Sequence, residues 1–397
     1  MKICEENLCT GCSACINVCS RGAIQMLQGV NGHLFPVVNK SLCVECKACQ
    51  KCCPNNNTIT YHSPLRAYIA SAKNSEDAQM STSAGVASII ARKLLQTGGV
   101  VYGCSGCDVT NIRHIRVCDE SSLYKLKGSK YVQSVIADTF SSVKKDLESR
   151  LRVLFIGTPC QVAGLYSFLR KPYEHLFTID LICHGVPSQQ ILNDALREYL
   201  PGVNLKEVSL NFRHKSKGNS AYGLFVKNQN GDFILNSKFP RNEYITGFLS
   251  GLFYRESCYQ CRYSRPERIS DITLGDYWDH ENNVKMNNKQ EGLSMLIVNT
   301  SKGASLVSKI SPFVNLLDGN YADFVKRNGQ LHHPIKKSMG YAKFSELYPQ
   351  IGFINSAKIG LRDDLRRIKR NIAINRLSSI IYTIPGVKLL RYKIKNK

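Results

Sequence analysis

Two copies of one cysteine pattern constrain this chain more than anything else in it. Cys9, Cys12, Cys15 and Cys19 follow a Cys-x2-Cys-x2-Cys-x3-Cys spacing, and Cys43, Cys46, Cys49 and Cys53 repeat it, with Pro54 after the last. Three thiolates two residues apart can wrap one side of a 4Fe-4S cube within a tight loop. So short a loop cannot encircle the cube, so the fourth thiolate has to come from elsewhere. Paired runs solve this by exchange, the last cysteine of each run serving the other cube. On this spacing Cys9, Cys12, Cys15 and Cys53 take one cluster, and Cys43, Cys46, Cys49 and Cys19 take the other. Zinc sites use cysteine pairs with longer spacers. Cys52 competes with Cys53 but lacks the x3 spacing and the following proline. Ser20 stands where a proline is expected after Cys19, a position that shapes the loop and carries no ligand.

This is the spacing of bacterial two-cluster ferredoxins. It makes residues 1–60 an α+β ferredoxin-type module, with 55–65 as a polar linker. The whole chain has 397 residues and 17 cysteines. That length supports a sizeable core, so the cysteines are not needed as staples. Charge begins at once in Met1 to Glu6, with no apolar signal region, and no apolar run reaches the ~18 residues of a membrane span. A cytoplasmic protein whose cysteines bind metal is expected, rather than a disulfide scaffold.

From Leu65 the chain alternates strand and helix. Val86 to Leu95 has helical periodicity and stops at Gly98-Gly99. Val135 to Leu151 reads as an amphipathic helix, Arg152 to Ile156 as a strand, Gln161 to Leu169 as a helix and Phe177 to Ile182 as a buried strand. Ser188 to Tyr199 is a further helix. This alternation predicts an α/β sheet domain over 65–340. Val208 to Phe212, Gly223 to Lys227 and Phe233 to Leu235 suggest an antiparallel portion, with further strands at Ile272 to Leu274 and Met295 to Val298. The polar stretch 282–290 reads as a loop.

A third cysteine set lies in that domain. Cys160 and Cys183 end strands, where α/β sheets bind their ligands, and Cys258 and Cys261 form a Cys-x2-Cys pair. Spacing leaves three readings open: an iron–sulfur site, a zinc site, or buried structural thiols. Cys104 and Cys107 read as a turn with small thiols, since no second ligand pair is left for them.

Five separated motifs then occur in order. They are Ser81-Thr82-Ser83-Ala84-Gly85, Lys127-Gly128-Ser129-Lys130-Tyr131-Val132, Gly157-Thr158-Pro159-Cys160-Gln161, Cys183-His184-Gly185-Val186-Pro187-Ser188, and Cys258-x2-Cys261 followed by Asp271 to Trp278. Together they resemble the coenzyme F420 hydrogenase/dehydrogenase beta-subunit family, with the two-cluster module in front. The resemblance runs to about residue 340. It implies that Cys160, Cys183, Cys258 and Cys261 hold a third 4Fe-4S cluster beside an FAD. It also implies that Ser83, Ala84, Gly85, Gly128, Ser129, Lys130 and Tyr131 lie against that flavin. Small residues before a helix let backbone N–H groups approach a phosphate, and Lys130 offers a charge to it. Ala84 departs from the family's usual serine or glycine. His184 either donates a proton to a reduced substrate or orders the cysteine loop by hydrogen bonding. Asp276 and Trp278 are expected to line the same pocket, and Asp271 to pair with Arg265 or Arg268.

The formal net charge is +23. The last 40 residues hold twelve Lys or Arg against Asp363 and Asp364, a local charge of +10. Leu361, Leu365, Ile368 and Ile372 share one helical face there. Residues 356–397 are therefore expected to form a basic amphipathic helical tail. It suits an anionic membrane surface at the inner face, or an acidic protein. Nucleic acid is disfavoured, because no nucleic-acid fold is recognisable and the only Trp, Trp278, sits in the redox region. The reading is a cytoplasmic iron–sulfur flavoenzyme. It passes electrons from ferredoxin, another acidic donor or F420H2 to a small organic substrate. The alternatives are a non-catalytic electron-transfer subunit and a zinc-stabilised interaction protein.

Overall fold

The computed structural model describes residues 1–216, 219–278, 284–286 and 292–381. The N-terminal segment holds α1 (Ala14–Val18), the antiparallel pair β1 (Ile24–Gln28) and β2 (Leu34–Val38), and α2 (Ala48–Lys51). Then follow β3 (Arg66–Ala72), α3 (Ser75–Gln79), α4 (Val86–Leu95), β4 (Val100–Ser105), β5 (Arg113–Val117), α5 (Thr139–Glu148), β6 (Val153–Gly157), α6 (Pro159–Leu169), β7 (Leu176–Leu181) and α7 (Gln189–Tyr199). An antiparallel sheet of β8 (Ser209–Ser216), β9 (Asn219–Lys227) and β10 (Phe233–Lys238) comes next, then α8 (Glu243–Ser250). The chain continues through β11 (Ile272–Tyr277), β12 (Leu293–Val298), α9 (Ser301–Ile310), β13 (Val314–Asp318), α10 (Tyr321–Arg327), α11 (Tyr341–Gly360) and α12 (Arg362–Ile381).

The fold is mixed α/β. Eight strands form one sheet in the order β13-β3-β12-β11-β7-β6-β4-β5. Its centre is parallel, β4 with β6, β6 with β7 and β7 with β11. Its flanks are antiparallel, β5 on one side and β12, β3 and β13 on the other. The parallel centre matters most for the site, because β6 and β7 end side by side and each continues into a cysteine-bearing segment. The apolar runs Val153-Leu154-Phe155 and Leu293 to Val298 are buried throughout, as strands covered on both faces require.

Val86 to Leu95 is helical as its period predicts, and Gly85 precedes it in a left-handed conformation (φ +81°). The helix expected from Val135 starts only at Thr139. Val135 is taken by the sheet instead: its N–H donates to Ile112 O (3.0 Å) and its carbonyl accepts from His114 N–H (2.9 Å). The polar stretch 282–290 lies outside the described residues except for 284–286.

The tail forms α12, but its apolar stripe is not all free. Leu361 is buried and Leu365 packs on the core that contains Phe344 and Phe353, so the first two members of the stripe hold the helix to the protein. Ile372 is exposed. Residues 382–397 lie outside the described residues. Among the described residues no helix is long and apolar enough to cross a membrane.

Candidate metal centres

All seventeen cysteines are unpaired. Thirteen of them line three cavities, five at the first and four at each of the others. Cys9, Cys12, Cys15 and Cys53 line one, and Cys19, Cys43, Cys46 and Cys49 line another. Each cavity takes its fourth cysteine from the opposite run. Helix α1 stands between them, with Cys15 on it and Cys19 just after it. Cys52 lines neither cavity. It is fully buried beside Cys12 in an apolar cluster, and its N–H donates to Ala48 O at 2.9 Å.

Cys160, Cys183, Cys258 and Cys261 line the third cavity. Cys160 sits in the first turn of α6. That helix starts where it does because Pro159 fits its first position and Thr158 N–H donates to Gln161 Oε1 at 2.9 Å. Cys183 follows β7 directly. Cys258 and Cys261 come from the segment after α8, tied to the Cys183 loop by Arg255 N–H donating to Val186 O (3.1 Å). Thr10 lines both the first and third cavities, so these two adjoin. Helix α6 also closes on the first: a Cβ at Gly164 would lie 2.8 Å from Cys12 Cβ.

The electrostatics suit a multi-iron core. Burial, reinforced by neighbouring sulfurs, pushes the Cys160 and Cys183 thiols up to about 12. Burial alone dominates at Cys12, also pushed up to about 12. Thiols held protonated in this way ionise when a cationic core fills the space between them. Among the described residues no three His, Cys, Asp or Glu converge as a single metal ion would need. The sulfurs line a space instead, and four thiolates around one space is the ligand number of a 4Fe-4S cube. Cys4, which no spacing marks, also lines the first cavity. Its thiol contacts Cys9 and Cys53, and the hydrogen bond from Cys4 holds Cys9 below the ordinary thiol range.

His184 lines the third cavity with its Nδ1 2.8 Å from Tyr254 Oη. The Tyr254 hydroxyl donates its single proton to Phe248 O, so His184 Nδ1 carries the proton between the two rings. Burial brings the His184 pKa down to about 4. A neutral imidazole fixed through Nδ1 suits ordering of the loop better than proton donation. Gly185 (φ +128°) makes that packing possible, since a Cβ there would collide with the Tyr254 ring.

The two segments assigned to a flavin meet each other, Ser129 N–H donating to Thr82 Oγ1 at 2.6 Å. Gly128 (φ +83°) has open space on its Cβ side, with Asn211 Oδ1 nearest at 3.9 Å. Ser83 Oγ bonds Leu293 O (3.0 Å), and Lys215 Nζ donates to Ser83 O (2.5 Å). Ala84 is fully buried, and Tyr131 stacks on Phe248 at 4.5 Å. Lys130 Nζ donates to three carbonyls, Cys104 O, Leu126 O and Lys127 O, at 2.8 to 3.0 Å. Its protons thus hold the segment's own backbone. Lys215 Nζ also donates to Ala78 O at 2.7 Å, so it too holds backbone, and the space left at this segment is the open side of Gly128.

Other expectations resolve differently. Arg268 pairs with Asp180 (2.8 Å) and Arg265 with Glu267 (2.8 Å), not with Asp271. Asp271 instead accepts from Thr178 N–H (2.9 Å) and from Thr300 Oγ1 (2.6 Å). Asp276 holds Arg213 at 2.6 Å, and Arg213 lies over the Tyr222 and Trp278 rings, away from the cysteine-lined cavities. Cys104 belongs to β4 and Cys107 is exposed. Arg255, which no motif marks, also lines the third cavity. Its only signal was adjacency to the Cys258 pair.

Comparison with known proteins points to the same region of the chain. A search of curated proteins found no match. A chain of the F420-reducing NiFe hydrogenase complex from Methanosarcina barkeri is similar at a TM-score of 0.48 and 16% identity, over 68% of this chain and 88% of that one. Residues 151–313, which include β6, β7 and all four cysteines of the third cavity, match the model for the C-terminal part of the coenzyme F420 hydrogenase/dehydrogenase beta subunit. Over that segment the chain is similar to the coenzyme F420 hydrogenase/dehydrogenase beta-subunit family.

Proposed function

We propose that the protein is an iron–sulfur flavoprotein that relays electrons through three 4Fe-4S clusters to an FAD. In this reading residues 1–60 are the two-cluster module, 65–340 the flavin and third-cluster domain, and 356–397 a basic docking tail. The observation that supports it is the grouping of the twelve cysteines marked by the motifs, four at each of three cavities, with Cys4 as a fifth at the first. Electrons enter where Cys46 is exposed. They pass the cavity of Cys9, Cys12, Cys15 and Cys53, and reach that of Cys160, Cys183, Cys258 and Cys261. The donor is reduced ferredoxin or another acidic one-electron carrier, or F420H2 with the relay reversed, and an organic substrate is the final acceptor. A bound flavin supplies the change between one-electron and two-electron chemistry. The chain's own residues position the groups and keep water out. Ser83, Ala84, Gly85, Gly128 and Ser129 shape the flavin's edge, while Tyr254 and His184 hold the Cys183 loop.

One observation favours a second reading. Among the described residues no carboxylate lines the third cavity, and burial brings the pKa of its histidine down to about 4. This suits an electron-transfer subunit whose substrate site lies on a partner. Iron and flavin analysis of anaerobically prepared protein tests the shared core. About twelve irons per chain, four for each cluster, are expected, with a flavin absorption band. Four irons or fewer would overturn the relay. Turnover of a small molecule by the isolated chain, as opposed to dye reduction alone, separates the two readings.

A further inference from the structure

Arg255 is among the most deeply enclosed side chains of the protein, 1% exposed. Its guanidinium donates from Nη1 to Cys9 O (3.1 Å), from Nη2 to Leu34 O and from Nε to Gln133 Oε1 (3.2 Å). The Phe35 ring lies 4.5 Å from Cζ. Every one of these partners is neutral. The other deeply buried arginines differ: Arg213 holds Asp276 and Arg268 holds Asp180. Arg255 holds no carboxylate among the described residues. A buried cation without an anion is costly, so the fold must offer compensation elsewhere. The groups of opposite potential charge around it are sulfurs from two sides, Cys9 and Cys12 of the first cavity and Cys160 and Cys258 of the third.

The surroundings are built to keep it there. Gly11 (φ +66°) carries no Cβ, and one would lie 2.7 Å from Arg255 Nη2. Gln133 turns its amide oxygen to Nε and donates from Nε2 to Thr10 O (3.0 Å), the residue shared by both cavities. Ser257 Oγ donates to the same Cys9 carbonyl at 3.1 Å. The Arg255 backbone is bonded to Val186 and Cys258 of the third-cavity loops.

We propose that Arg255 is a positive bridge between the first and third cluster sites, a positioning residue that raises the reduction potential of both. The inference rests on the relay reading above. Reducing a cluster adds a negative charge, and a fixed cation in a poorly polarisable interior favours that state strongly. With clusters held at both sites, a transfer between them would move one electron, the first being oxidised by one unit and the third reduced by one, with no proton or other reactant. The one-electron donor already named supplies the electron.

Redox titration of the full chain followed by electron paramagnetic resonance tests this, using Arg255→Gln and Arg255→Lys. The cluster of Cys19, Cys43, Cys46 and Cys49 serves as an internal reference. Arg255→Gln should lower the reduced-to-oxidised ratio of the other two clusters at least tenfold at the wild-type midpoint, about 59 mV for one electron, with the reference unmoved. Arg255→Lys should restore most of the difference. Gly11→Ala, which keeps the charge but displaces it, should shift the same two clusters in the same direction by less, and covers the case in which Arg255→Gln does not fold. Unchanged potentials in iron-replete variants would overturn the proposal, as would equal iron loss in the Gln and Lys variants, which would mark a purely structural clasp. Wild-type protein lacking third-cluster iron would overturn the relay reading itself, and is detected before any variant is compared.

Discussion

Cys52 and Cys53 are neighbours in sequence with opposite surroundings. Cys53 faces the cavity of Cys9, Cys12 and Cys15, whereas Cys52 is packed among apolar side chains. Cys53→Ser is therefore expected to lose about four irons of about twelve, and Cys52→Ala none. The second change should cost about 1 kcal/mol of stability through lost packing. Iron analysis and thermal unfolding of both variants check this. The choice between these two cysteines was legible, because spacing fixes which sulfur a short loop can present. Cys4 and Arg255 were not. Each reaches its place through the approach of distant segments, and no local pattern encodes that. Partner choice among charges was hidden for the same reason. Asp271 is close to Arg268 in sequence, yet Arg268 takes Asp180 on the adjacent strand.

Helices and strands were read mostly correctly where period and termini agreed, as in α4, α6 and α7. The error at α5 came from a competing sheet contact: Val135 has the pattern of a helix but its hydrogen bonds go to Ile112 and His114. Strand order was beyond the pattern, since β3, β12 and β13 pair across more than two hundred residues. One contact between elements makes a sharp test. Gly164 of α6 touches Cys12 so closely that a Cβ would come within 3.0 Å of its Sγ and 3.2 Å of Phe140. Gly164→Val should push the first cysteine loop outward, costing about 1–3 kcal/mol. It should also lower the iron held with Cys12, while leaving that held with Cys43, Cys46 and Cys49. Iron content and cluster spectra of the variant distinguish this from general unfolding.

The molecule as a whole should be acid-sensitive. His114 is buried, with Nδ1 2.7 Å from Ser134 Oγ and Nε2 3.0 Å from Ile156 O. Burial brings its pKa down to about 4, and brings that of His33 down to about 3. The unfolded chain therefore binds these protons first. Stability is complete above the ordinary histidine value of about 6.5 and falls as pH drops from there toward 4, by up to about 1.4 kcal/mol per pH unit for each group. Denaturant unfolding at several pH values checks the slope, and His114→Gln should reduce it. The crossed placement of Cys19 and Cys53 has a consequence for how the N-terminal segment matures. Filling either cavity draws the segments around 9–19 and 43–53 together, and the entropy of that closure is met once. The second cavity is then already assembled when the first is full. In the proposed relay the second cluster of the pair is therefore expected to load more readily than the first, while a site that has lost a ligand still leaves the other able to fill.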